Sequence, residues 1–236
     1  MVPAKKSEFE KLLRLMSRQG TIRHFKPDPV PDKLIEKILE AARWAPSGAN
    51  TQPWDFIVVK DPRAREKIAQ IFVETYERAK KLDRRFPFYS GEVLRKRLTE
   101  PPILIVVCAD TRFTSAYPNT IYREEILDVS MGAAIQNMTL AASALGLGLG
   151  WGTANFPLTR KRLRQLLGVP SYIKIMEVLQ LGFPVKRVPP RFRRPISEFT
   201  HHNRFDVSKI RSEEEIENLL RTRKVPDIYS GTKLPK

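Results

Sequence analysis

Three short segments combine residue types that a packed core does not require. The first is Gln19-Gly20-Thr21-Ile22-Arg23-His24-Phe25. On an extended chain Thr21 and Arg23 leave the same face. A hydroxyl beside a guanidinium suits an anionic or carbonyl-bearing ligand, and Arg18 adds a neighbouring positive charge. The second is Ala45-Pro46-Ser47-Gly48-Ala49-Asn50-Thr51-Gln52-Pro53-Trp54. Two prolines fence a loop in which Ser47, Asn50 and Gln52 can hydrogen-bond a polar heterocycle without adding charge. The third is Gly146-Leu147-Gly148-Leu149-Gly150-Trp151-Gly152-Thr153. It follows a helical pattern instead of opening one, which rejects a dinucleotide fingerprint. What remains is close approach of its backbone to a flat ligand. Each segment also has a plainer reading: a solvated basic strand, a set of turns and caps, or a glycine run with no ligand.

Other chemistries lack their residues. His201-His202 is a pair with no further ligands at zinc spacing. His24 is isolated, and Ser47 has none of the context of a nucleophile elbow. Cys108 lies in an apolar run, where a thiol is inert. Glu213, Glu214 and Glu215 read as the acidic first turn of a helix. The residues thus name neither a catalytic side chain nor a metal site.

The elements that must position these segments are legible in outline. Ser7-x-x-Glu10 is a capping box opening a helix with Phe9, Leu12, Leu13 and Met16 on one face. Thr21–Phe25 reads as extended, and Pro27, Pro29 and Pro31 forbid helix. Asp32 is placed to cap a second helix that ends before Pro46. Phe56–Val59 is a short strand. Asp61-Pro62 starts a helix running to about Lys81. Residues 78–97 are basic and weakly periodic, and read as a surface insertion or lid. Ile103–Ala109 is uniformly apolar, so it is a strand buried on both faces. Ile126–Leu145 is apolar nearly all round and reads as a central helix. A helix over Thr159–Leu167, a strand over Ile173–Leu181 and a short helix opened by Ser212-x-x-Glu215 complete the pattern. The order is mixed α+β, without regular βαβ alternation.

The chain has 236 residues, of which 42% are hydrophobic. That is enough for one sizeable core without disulfides, and the single cysteine allows none. Net charge is +16, which favours anionic partners such as nucleic acid, anionic lipid or a phosphorylated cofactor. The first residues lack the apolar stretch of a signal peptide, and no apolar run is long enough to span a membrane. A cytoplasmic protein is the expectation. Residues 184–236 are too poor in apolar side chains to fold alone. They are expected to lie across the body of the protein or a partner subunit.

Together these segments resemble the FMN-dependent nitroreductase family. The matching pieces are Thr21-Ile22-Arg23-His24-Phe25, the prolines through Pro31, and Pro46-Ser47-x-x-Asn50-x-Gln52-Pro53-Trp54. Ala133-Ala134-Ile135-Gln136-Asn137, Ala144-Leu145-Gly146-Leu147-Gly148 and Arg191-Phe192-Arg193-Arg194-Pro195 also match. The likeness runs from about 9 to 205, as one domain over 1–236 with a basic tail at 184–236. It implies a mixed, mainly antiparallel sheet flanked by helices, and a homodimer with FMN at the subunit interface and the tail embracing the partner.

Residue by residue, the resemblance puts Thr21 and Arg23 on the flavin, with Arg23 near its pyrimidine side or ribityl chain. Pro46, Ser47 and Asn50 match the loop supplied by the other subunit, and Gln52 of the same motif is a further cofactor-binding candidate. Thr153 matches the position whose backbone approaches flavin N5, Gly152 beside it is a further cofactor-binding candidate, and Arg191 and Arg193 match the basic pair at the phosphate. The family carries two basic residues just before the Thr21 position. Here they are Gln19 and Gly20, leaving Arg18, Arg191 and Arg193 for the phosphate. The implied activity is transfer of hydride from NAD(P)H through flavin N5 to a flat electrophile, a nitroaromatic or quinone, in a ping-pong cycle. The cofactor carries such chemistry, so no side-chain acid, base or nucleophile is required.

Two alternatives stand beside this reading. Gly150-Trp151-Gly152-Thr153 and Ile196–Phe205 resemble segments of a subfamily that cleaves FMN with oxygen to 5,6-dimethylbenzimidazole. The net charge alone would also suit a nucleic-acid-binding protein, but no signature of such a module is present.

Overall fold

In the computed structural model, residues 7–82, 90–118, 123–153, 156–187, 189 and 193–222 are described. Helix α1 (Glu8–Arg18) opens on the expected capping box, with Ser7 accepting from the Glu10 amide and Glu10 accepting from the Ser7 amide. Helix α2 (Asp32–Arg43) departs from expectation at its start. Pro31 occupies the cap and makes no side-chain bond, while Asp32 is the first helical residue. Its carboxylate acts through the helix dipole and pairs with Lys60 at 2.5 Å.

Strand β1 (Trp54–Val59) and helix α3 (Pro62–Leu82) follow. Asp61 accepts from the Arg63 amide at the head of α3. Of the surface insertion or lid expected over 78–97, residues 83–89 lie outside the described residues, and the described flanks are helical. Helix α3 continues through Leu82, and helix α4 (Gly91–Thr99) is capped by Ser90. Leu98 of α4 is fully buried, and Arg95 grips Glu66 of α3 with two hydrogen bonds of 2.6 and 2.8 Å. Its weak periodicity reflects a short helix that buries one side chain deeply.

Strand β2 (Ile103–Asp110), helix α5 (Arg123–Ala144), strand β3 (Gly148–Thr153), helix α6 (Pro157–Leu167), strand β4 (Ile173–Gly182) and helix α7 (Glu213–Thr222) complete the chain. Helix α6 ends on Gly168 in the left-handed region, a conformation glycine adopts without Cβ strain. The four strands pair in the order β1-β2-β4-β3, antiparallel throughout.

The sheet separates two cores. Ile103, Ile105, Val107 and Ala109 of β2 face α2 and α5. Leu104, Val106 and Cys108 face the layer of α3, α4 and α6. All eight residues of β2 are buried, which explains its unbroken apolar run from Ile103 to Ala109. Helix α5 is less enclosed than its composition suggests. Met131, Ala134, Ile135 and Met138 are buried, but Val129 is 73% exposed.

The glycine run is an edge strand. A Cβ at Gly148 would overlap the Ile22 side chain, and one at Gly150 would overlap the Gln180 side chain and the Ile22 carbonyl. The close approach foreseen there is made by the chain itself. The Ile22 amide donates to the Leu149 carbonyl at 3.0 Å, so the Thr21–Phe25 segment lies along the β3 edge. A bridge between Phe25 and Pro184 continues this contact past the end of β4.

Candidate functional site

Ile22 is buried against the glycine strand. The period of two in extended chain then turns Thr21 and Arg23 the other way. They line a cleft of ≈ 340 Å³ with Gln19, Trp151 and Arg193. Helix α5 supplies the remaining wall through Gln136 and Thr139. The Gln136 side-chain amide donates to Gln19 Oε1 at 3.2 Å, tying α5 to the end of α1. Two guanidinium groups, two side-chain amides and an indole thus converge on one concavity, suited to a flat ligand with an anionic end. A narrow crevice beside it is bordered by Arg18 and Arg187.

The Pro46–Trp54 loop lies elsewhere. Pro46 and Ser47 border a second cleft of ≈ 340 Å³ against Ile126, Val129 and Ala133 of α5. Asn50 and Gln52 are exposed on the same loop. Three of its non-glycine residues have left-handed backbone: Ala49 at φ 48°, Asn50 at φ 53° and Gln52 at φ 47°. That conformation costs an L-residue about 1–2 kcal/mol, so the surrounding structure must hold it.

The structure therefore brings together Gln19, Thr21, Arg23 and Arg193, places Arg18 beside them, and leaves Pro46, Ser47, Asn50 and Gln52 apart within the single chain. Gly152 is on β3 against Gln180, Thr153 is the last residue of that strand, and Arg191 lies outside the described residues. Beside Gly20, three side chains of the cleft were absent from the sequence-derived site: Gln136, Thr139 and Trp151. Gln136 and Thr139 are polar, three apart in the apolar-rich second half of α5, and share a face. Trp151 stands between two glycines. Those are the signals that could have found them.

Cys108 and Asp110, which line neither cleft, are shifted by their own surroundings. Burial pushes the Cys108 thiol up to about 12. Arg112 holds the Asp110 carboxyl below its usual value through side-chain hydrogen bonds, one of them 2.5 Å. The same guanidinium stacks 4.1 Å from the centre of the Tyr172 ring. Among the described residues, no group of three His, Cys, Asp or Glu is placed to hold a metal, and no helix is long and apolar enough to cross a membrane.

The sequence profile of the Nitroreductase family matches residues 16–185. The chain belongs to the nitroreductase family. Its helices and antiparallel sheet are that family's α+β fold. A nitroreductase-family relative from Archaeoglobus fulgidus, named "Putative NADH dehydrogenase/NAD(P)H nitroreductase", is 36% identical over 176 residues, covering 74% of this chain and 86% of the relative. Iodotyrosine deiodinase 1 of Rattus norvegicus is 31% identical over 182 residues, covering 74% of this chain and 62% of its own length. A crystal structure of oxidised iodotyrosine deiodinase bound to FMN and 3-iodo-L-tyrosine superposes with a TM-score of 0.64 at 25% identity. That match covers 82% of this chain and all of the other.

Proposed function

We propose that this nitroreductase-family protein is an FMN-dependent oxidoreductase that draws electrons from NAD(P)H and passes them to a flat electrophilic acceptor. The observation that carries this reading is the convergence of Thr21, Arg23, Gln136, Trp151 and Arg193 on one cleft. The donor set fits FMN: guanidinium groups for a phosphate, side-chain amides for the polar edge of a heterocycle, and an indole for a flat ring. When bound there, FMN supplies reversible hydride acceptance, chemistry that no side chain of the cleft provides.

The protein's own groups bind and orient. Arg193, with Arg191 from the same tail, neutralises the phosphate. Arg18 adds positive charge at that end, where Gln19 and Gly20 carry none. Arg23 places a fixed cation at the ring or ribityl end, favouring the more negative, reduced state. Thr21 and Gln19 offer hydrogen bonds, and Gly152 and Thr153 bring backbone close to the ring. Pro46, Ser47, Asn50 and Gln52 stand apart from this cleft within one chain, so they serve the cleft of a second copy in a homodimer. The exposed Val129 of α5 and the tail after Pro184 supply surface for that contact.

The test is direct. The purified protein is expected to be yellow, to release FMN and not FAD on heating, and to bleach on anaerobic addition of NADH or NADPH. Colour then returns with a nitroaromatic or quinone. A colourless protein that takes up no added FMN overturns the reading.

The similarity to iodotyrosine deiodinases supports a second acceptor class, the halogenated phenol, which the same reduced protein would dehalogenate. Halide release from 3-iodotyrosine with dithionite as reductant distinguishes it from nitro or quinone reduction. Loss of the flavin chromophore under oxygen, with formation of 5,6-dimethylbenzimidazole, would instead identify FMN cleavage.

A further inference from the structure

The strained Pro46–Gln52 loop is held from one side by a residue that no sequence motif selects. Ser130 of α5 is 4% exposed. Its Oγ accepts the Gly48 amide at 3.1 Å and donates to the Ile126 carbonyl one turn back at 2.7 Å. The hydroxyl is therefore fully oriented: its proton is committed to the helix, and its lone pair faces the loop. Gly48 can come this close only because it has no side chain. A Cβ there would overlap both the Tyr117 hydroxyl and Ile126 Cγ2. The Tyr117 hydroxyl is itself buried, so the loop backbone is seated between a side chain of α5 and a ring from the segment preceding it.

The strain begins at the next residue. Ala49, Asn50 and Gln52 carry the positive φ angles, not the glycine. Within the loop, Ser47 Oγ accepts the Gln52 amide at 3.0 Å and Thr51 Oγ1 donates to the Gly48 carbonyl at 3.0 Å. These bonds close the loop on itself but do not attach it to the body. The Ser130–Gly48 bond does. Strained backbone of this kind persists only where its surroundings over-determine it.

We infer that Ser130 is the positioning residue of the Pro46–Gln52 loop: it anchors the Gly48 amide to α5 and so presents Ser47 and Asn50 in the conformation that binds. That presentation serves FMN if the proposed function holds, and this last step rests on that reading. The anchor itself does not.

Ser130→Ala and Ser130→Thr in the full-length protein separate the two. Thr75→Val is the matched control, since Thr75 is also buried and also bonds back to the preceding helical turn, at 2.7 Å. The first readout is amide hydrogen exchange of peptides covering 46–53, measured after flavin has been stripped. Ser130→Ala is expected to speed exchange there, Ser130→Thr to restore it, and Thr75→Val to leave it alone. The second readout is FMN titration, where Ser130→Ala should weaken binding by about three- to tenfold, as for loss of one ordinary hydrogen bond. Unchanged exchange in Ser130→Ala overturns the anchor. Faster exchange with undiminished FMN affinity overturns the link between the anchored loop and the cofactor. If even the unsubstituted protein takes up no FMN, the proposed function fails while the exchange result still scores Ser130. Should Ser130→Ala not fold, Ser130→Cys keeps the volume and weakens the acceptor, giving the same two comparisons.

Discussion

Arg23 and Arg193 border one cleft but are assigned different ends of the same ligand. Arg193→Ala should weaken FMN binding by one to two decades, since a hydrogen bond to a charged group is worth about 1.5–3 kcal/mol. Arg23→Ala should instead lower the reduction potential of the bound flavin, measured by redox titration at saturating FMN. A change in affinity alone would move Arg23 to the phosphate end. Cys108 is buried, with its thiol raised to about 12, so it carries no thiolate at neutral pH. Cys108→Ala should keep turnover and lose about 1 kcal/mol of stability from the small cavity. Asp110 gives a pH-dependent case. Its carboxyl is held low by Arg112, so the pair stabilises the fold fully above the ordinary carboxyl value near 4. That contribution is lost as pH falls through the lower, folded value. The melting temperature of Asp110→Asn should thus lie below that of the unsubstituted protein at pH 7, by a small margin because Arg112 is exposed, and the two should converge in strong acid.

At the scale of elements, β3 and the Thr21–Phe25 segment form one unit. The glycine faces of β3 exist to admit Ile22 and Gln180, and Ile22 in turn fixes the direction of Thr21 and Arg23. Gly150→Ala would press a methyl group onto a backbone carbonyl and a buried glutamine, neither of which can move freely. It should destabilise by about 1–3 kcal/mol in denaturant titration and also weaken FMN uptake, because the segment carrying Arg23 is displaced. A destabilised variant with intact FMN affinity would show that β3 and the cleft are independent.

At the scale of the molecule, the cleft and the Pro46–Gln52 loop stand apart within one chain. The first cleft is formed by Thr21, Arg23 and Arg193, and the Pro46–Gln52 loop faces a second concavity on α5. Ile196, Phe199, Phe205 and Val207 in the tail are exposed, as is Val129 of α5. Light scattering should find a dimer carrying two FMN molecules. Deleting 186–236 should lower flavin retention as well as solubility. A flavin-loaded monomer would contradict the assignment of the loop to the partner's cleft.

The sequence by itself determined the elements with strong local signals. The Ser7 capping box and the unbroken apolar run Ile103–Ala109 each encode their structure through a few neighbouring residues, and each stands where it was read. The motif around Pro46–Trp54 was equally legible, since its residue types are chemically unusual. Only the tertiary structure decided the rest. The glycine run reads as ligand-binding because sequence shows what a missing side chain allows, not which neighbour uses the space. Here Ile22 and Gln180 use it. Helix α4 was hidden because a nine-residue helix with one fully buried leucine has too little period to register. Gln136, Thr139 and Ser130 look like ordinary polar positions on α5 until packing sets two against a cleft and the third against a loop amide. The reason is general to this fold. Local propensity is written in adjacent residues, whereas Ser130 and Gly48 meet across 82 positions of chain.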